Sequence, residues 1–196
     1  METPMRKLIT IATVLSVMVA LLGTVWIVRT LGEKDAADAL FSESRDVEDL
    51  ARADDGKIDP LKLAYANYEK GALVKAAKQY QELAENGDPV GQRNLGFLYQ
   101  RGHGVNRNNA TAMMWYLKAA EQGHRAAYNN IGFLYVAGLG VEQDFVQAHL
   151  WYTKAVVAGS KEGKRLRSVI QKKMTDDQVA AAEKLEMENG LKEEIF

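Results

Sequence analysis

Apolar side chains recur along this chain at two spacings, one local and one long. Locally, Ala112, Trp115, Tyr116, Ala119 and Ala120 fall at i, i+3, i+4, i+7 and i+8, and Ala148, Trp151, Tyr152, Ala155 and Val156 repeat that order. Such a stripe predicts a helix with one buried face. Ala76, Tyr80, Leu83 and Ala84 form a shorter version upstream. The segments from Val90 to Arg101 and from Ala126 to Ala137 are apolar over a wider arc, through Leu95, Phe97, Leu98 and Tyr99 in the first. That predicts helices sandwiched between their own partner and the neighbouring pair.

The long spacing is 36 residues. The run from Asn94 to Val105 returns from Asn130 to Val141, with Gly96 answered by Gly132 and Gly102 by Gly138. Gly87, Gly123 and Gly159 keep the same offset, as do Tyr80, Tyr116 and Tyr152. A fixed period of roughly 20–50 residues marks a repeat array. Gly96 and Gly132 sit inside helices, where glycine costs about 1 kcal/mol relative to alanine. A repeated cost implies a repeated need, most simply close approach of two helix backbones. Asp59-Pro60 and Asp88-Pro89 read as an N-cap followed by a first-turn proline, and Asn108 and Asp144 occupy matching N-cap positions.

The pattern Leu-Gly-x-Leu-Tyr-x-x-Gly-x-Gly-Val, then Ala-x-x-Trp-Tyr-x-Lys-Ala, resembles the Sel1-like repeat, a relative of the tetratricopeptide repeat. Two units carry it closely, at 88–123 and 124–159. A unit at 59–87 has a shorter hairpin loop and is closer to a tetratricopeptide repeat, while 160–196 matches loosely and reads as a cap. The resemblance implies an all-α, α/α superhelical solenoid of about three hairpins plus a C-terminal capping pair. It also implies an adaptor or scaffold rather than an enzyme.

Composition narrows the function further. With 25 basic residues against 26 acidic, the chain offers no net basic field for nucleic acid. The absence of cysteine excludes disulfides, zinc fingers and thiol catalysis. Some secreted Sel1-like proteins staple each hairpin with a disulfide, so this chain departs from that plan. His103, His124 and His149 have no ligand-spaced partners, and neither metal nor cofactor is expected. Gly102-His103-Gly104 lacks the preceding strand and the Lys-Ser/Thr ending of a phosphate loop, so helix capping explains it. Asn109-Ala110-Thr111 fits a glycosylation sequon but lies at a helix start.

Residues 8–28 are 21 positions without a charge, about 31 Å as a helix and enough to cross a hydrocarbon core. Arg6 and Lys7 precede them and a mostly acidic stretch follows. The expectation is a cytoplasmic tail at 1–7, an uncleaved signal anchor at 8–28, an acidic linker at 29–58 and repeats in the periplasm, on the bacterial inner membrane. A cleaved signal peptide is the rival, against which the run is long and lacks an Ala-x-Ala-like site. Ala12, Ser16 and Ala20 share one face of that helix and could bring two copies together.

The end of the chain splits by charge. Six basic residues lie between Lys161 and Lys173, and seven acidic ones between Asp176 and Glu194. These two helices are expected to pack antiparallel as a cap, attracting each other.

The leading functional reading is a membrane-anchored interaction scaffold, whose partner is another envelope or membrane protein. The alternatives are an envelope hydrolase of the cell-wall or β-lactam type, or a structural spacer that oligomerises through its anchor. In arrays of this kind the first helices line the concave side. The register carried over from the resemblance points Arg93, Asn94, Phe97 and Arg101 inward from one unit, and Asn129, Asn130 and Phe133 from the next. Lys62 and Lys70 extend that surface upstream and Arg165 downstream. Arginine grips a carboxylate in two places and asparagine both donates and accepts, which suits an extended acidic or C-terminal segment. The competing reading makes the phenylalanines inter-repeat core and the asparagines ties between helices.

Overall fold

A computed structural model describes residues 59–191. The expected tail, membrane span, linker and Ala12–Ser16–Ala20 face all lie outside the described residues. Among those described, no helix is long and apolar enough to cross a membrane.

Eight α-helices and no strand make up the described part: α1 (Pro60–Glu69), α2 (Leu73–Glu85), α3 (Pro89–Arg101), α4 (Asn109–Glu121), α5 (Arg125–Ala137), α6 (Phe145–Val157), α7 (Lys161–Gln171) and α8 (Asp176–Glu188). Six of the eight start where a side chain satisfies an open backbone N–H; α2 after Ala72 and α5 after His124 have no such cap. Asp59, Asp88, Asn108, Asp144 and Ser160 all accept a hydrogen bond from the first turn of the helix they precede. Thr175 and Gln178 close a reciprocal capping box on α8.

From α1 to α7 each helix packs on the next, as in a solenoid, and the buried core falls into two clusters, one through α1–α5 and one of α6 and α7, with Tyr135 packed against both. Its centre is a row of tyrosines. Tyr116 and Tyr152 are fully buried, and Tyr80 nearly so. Burial pushes all three hydroxyls far above the ordinary tyrosine range, so they stay protonated. The Tyr116 hydroxyl donates to Gln100 Oε1 at 2.6 Å.

The repeated glycines explain how these rings fit. A Cβ on Gly96 would lie 2.7 Å from the Tyr116 ring, and one on Gly132 would lie 2.6 Å from the Tyr152 ring. Neither position has room for a methyl group, so the first helix of each unit rests its bare backbone on the tyrosine of the second. A different contact joins successive units. Gly104, in the loop of one hairpin, sits so close to Leu73 that a Cβ would meet its carbonyl oxygen at 2.2 Å. Gly140 repeats this against Asn109, its would-be Cβ 2.7 Å from that carbonyl carbon. Each long hairpin loop therefore leans on the start of the second helix one unit upstream.

The C-terminal pair departs from expectation. α7 packs on α6 and α5, whereas α8 packs chiefly on α6, and no comparable contact joins α8 to α7. The two helices of opposite charge do not form a self-closing antiparallel cap. Arg165 is held within its own helix by Glu162, at 2.7 Å. What attracts α8 is a polar cluster on α6, described below.

Candidate partner-binding surface

The first helices of the two central units, α3 and α5, have little open surface, because each is covered on both sides. On α3, only Val90, Asn94, Tyr99 and Arg101, with the terminal Pro89, escape full burial; on α5 the open positions include Tyr128, Phe133, Val136 and Ala137. The residues expected to face a groove divide accordingly. Lys62, Lys70, Arg101 and Arg165 are exposed, and Asn94 and Phe133 are half-buried. Arg93 is 9% exposed and Phe97 6%.

Asn129 and Asn130 require a correction: at 3% and 1% exposed they lie between helices and not on an open face. Asn129 donates to Ser160 Oγ at 3.1 Å, tying α5 to the cap of α7. The Asn130 amide stands beside the Tyr116 hydroxyl of the preceding unit, without closing a well-formed hydrogen bond. These two are ties between neighbours, for the physical reason that a helix packed on two flanks buries the positions next to its glycine.

One group of expected residues does come together. Tyr68 of α1 meets the Phe97 ring edge-on at 6.4 Å, and the His103 ring meets Phe97 at 6.1 Å, also edge-on. The guanidinium carbons of Arg101 and Arg93 lie 5.6 Å and 6.0 Å from the centre of the Phe97 ring. Tyr68 and His103 share a 3.0 Å hydrogen bond through His103 Nδ1. Burial, and then the charge of Arg101, hold the His103 pKa below its usual value, and burial raises that of Tyr68. Both shifts favour a protonated hydroxyl beside a neutral imidazole at neutral pH. Tyr68 and His103 were not among the residues assigned to this surface from sequence. Tyr68 could have been found by its place on α1, the first helix of the unit upstream of Phe97, while His103 is positioned by a loop whose path the sequence does not show.

Three further features lay beyond the sequence reading. Lys118 sits 4.2 Å from the centre of the Trp115 ring, and Lys154 repeats this over Trp151 at 4.3 Å, so the Trp-x-x-Lys spacing is a recurrent cation–π pair. Gln122 ties the end of α4 to α3 of its own unit by donating to Gln92 Oε1 at 2.8 Å, and reaches the preceding unit by donating to the Gly87 carbonyl at 3.0 Å. His149 lies buried on α6 with its Nδ1 2.7 Å from Glu186 of α8. Among the described residues there is no cluster of His, Cys, Asp and Glu able to hold a metal ion.

Comparison with known proteins bears on the fold directly. Residues 89–124 and 125–159 each match the family model of the Sel1 repeat. A protective antigen present in uropathogenic Escherichia coli strains, displaying an SLR fold, is 34% identical with a TM-score of 0.60, over 64% of this chain and 28% of that one. A Sel1 repeat protein from Oxalobacter formigenes is 31% identical with a TM-score of 0.52, over 56% of this chain and 43% of that one. The chain thus spans less than half the length of either relative. Its recurrent glycine–tyrosine contacts, its leaning loops and these matches lead to one statement: the chain carries two Sel1 repeats within an all-helical repeat solenoid.

Proposed function

We propose that this chain is a membrane-anchored scaffold of the bacterial envelope that binds another envelope or membrane protein through its first-helix surface. The anchor is the uncharged run 8–28, with the N-terminus cytoplasmic and the repeats periplasmic. Sel1 repeats serve as helical adaptors for protein partners, which supports the general class. The observation that carries the particular site is Arg101, an exposed cation over the Phe97 ring and beside Tyr68 and His103. Lys62 on α1 and Lys70 at its C-cap add positive charge. An extended acidic or C-terminal segment would set a carboxylate on Arg101 and lay apolar atoms on Phe133 and the edge of Phe97.

The test is crosslinking of the intact protein in its own membrane, followed by pulldown, for wild type and Arg101→Glu. At least a tenfold loss of the crosslinked partner is expected, with the melting temperature unchanged. Undiminished capture by the variant overturns the site. A reporter fused after Phe196 tests the topology, and activity from a cytoplasm-only reporter overturns the orientation.

A further inference from the structure

The polar cluster under α8 has the makeup of a ligand site. Glu186 Oε1 lies 2.7 Å from His149 Nδ1 and accepts from the Thr153 hydroxyl at 2.6 Å. These are lengths typical of hydrogen bonds to an ionised carboxylate. Arg167 Nη1 stands 3.5 Å from the same Thr153 oxygen, and its charge acts on Glu186 as well. All three of these partners belong to α6 and α7, the body of the solenoid. Only the carboxylate comes from α8.

α8 itself is lightly held. Its one fully buried side chain is Ala182, four residues before Glu186, and Met187 is 66% exposed. It also lacks the close packing on α7 that every other second helix makes on its first. His149 Nε2 is buried with no hydrogen-bond partner, so the imidazole spends its polar capacity on the carboxylate alone. Nothing in that arrangement requires the carboxylate to be attached through the loop 172–175.

We propose that His149, Thr153 and Arg167 form a carboxylate-binding site for acidic helices, which Glu186 of α8 occupies as a tethered ligand. The helix it takes carries a small residue four positions before a glutamate, as Ala182 and Glu186 do, so that the small side chain lies on α6 while the carboxylate reaches the donors. Tethering by a short loop gives α8 an effective concentration on the order of millimolar. An acidic helix from a partner protein must compete with that, and the site responds once α8 is displaced. The proposal does not depend on the surface around Arg101.

A labelled peptide of residues 175–190, and the same peptide with glutamine at position 186, are titrated against the full-length protein by fluorescence anisotropy. The receptors are wild type, Glu186→Gln, and Glu186→Gln combined with Arg167→Met or with Thr153→Val. Hydrogen exchange on α8 is followed in each. In Glu186→Gln, α8 amides are expected to lose protection, and the glutamate peptide should bind at least tenfold tighter than it binds wild type. The glutamine peptide should bind at least tenfold weaker than the glutamate one, and either second substitution should cost a similar factor. A concentration-dependent dimer of the wild type that Glu186→Gln abolishes would show α8 of a second copy using the site, which also supports it. Equal binding of the two peptides overturns the proposal. So does full protection of α8 in Glu186→Gln, since the carboxylate would then not be what holds the helix.

Discussion

The two central repeats and the last helix are held by opposite kinds of chemistry. Between α3 and α6 the decisive contacts are apolar and recur: Gly96 on Tyr116, then Gly132 on Tyr152. At α8 the decisive contact is polar and occurs once, the carboxylate of Glu186 against His149 and Thr153. Apolar contacts of this kind depend on shape and area, and little on pH. A hydrogen-bonded carboxylate depends on its charge. The body of the array and its C-terminal helix should therefore fail under different stresses, and each of the following experiments sharpens or breaks that contrast.

The largest effect is expected from Tyr152→Ala, which empties a fully buried ring from the centre of the second repeat. Removing a buried aromatic costs about 3–5 kcal/mol. Thermal denaturation followed by circular dichroism should show the whole transition moving down. A change confined to α8 would mean that the repeats are not one cooperative body.

Next is Gly132→Ala, whose new methyl would meet the Tyr152 ring at 2.6 Å. Overpacking of this kind costs about 1–3 kcal/mol, although alanine alone would favour the helix by about 1 kcal/mol. Chemical denaturation should show net destabilisation, and doubling with Tyr152→Ala should relieve much of it. An additive double variant would disprove the contact.

Acid should act on the other region. Burial by itself raises the Glu186 pKa, but hydrogen bonds from His149 and Thr153 and the charges of His149 and Arg167 outweigh it, leaving the carboxyl below its ordinary value. A depressed carboxylate contributes stability that is complete above its unfolded value of 4.5 and is lost as pH falls through the lower folded value. Between neutral pH and pH 5 the amides of α8 should thus keep their protection. Below 4.5 they should lose it before those of α3 to α6, which hydrogen exchange across that range would reveal. Simultaneous loss would place both regions in one unit.

The smallest effect belongs to Lys118→Met. Lys118 is an exposed cation over a half-buried Trp115 ring, and such pairs are worth about 0.5–1 kcal/mol. A salt-dependent difference in urea midpoint between the variant and wild type would register it, and none is expected to appear in α8.

Whatever repeats was legible in the sequence. Gly96 and Gly132 announced a close approach by sitting, at equal spacing, where glycine is costly. The caps at Asp88, Asn108 and Asp144 were marked by residue type alone. The candidate surface was less legible, and its misplacements share a cause. The wide apolar arc of α3 and α5 already implied cover on two flanks. That cover leaves few positions open, and Asn129 and Asn130 fall under it. The register of a motif says which way a side chain leaves its helix, but not how near the next helix stands. His149 and Glu186 could not be paired from sequence at all. They are 37 residues apart, neither has a counterpart in another unit, and their meeting depends on the angle at which residues 172–175 set α8.

The leaning loops have a consequence for how long such an array can be. Each 36-residue unit offers a glycine loop on one side and a receiving helix start on the other, at Gly104 with Leu73 and at Gly140 with Asn109. The two faces are complementary, so a second copy of 89–124 spliced in after residue 124 would find both neighbours it needs. The outer hairpins behave differently, because only residues 70–72 join α1 to α2 and only 172–175 join α7 to α8. Connections that short do not form the glycine loop that leans upstream, and among the described residues the start of α6 receives none. The terminal hairpins are thus punctuation: they accept the grammar of the array on one side and decline to continue it on the other.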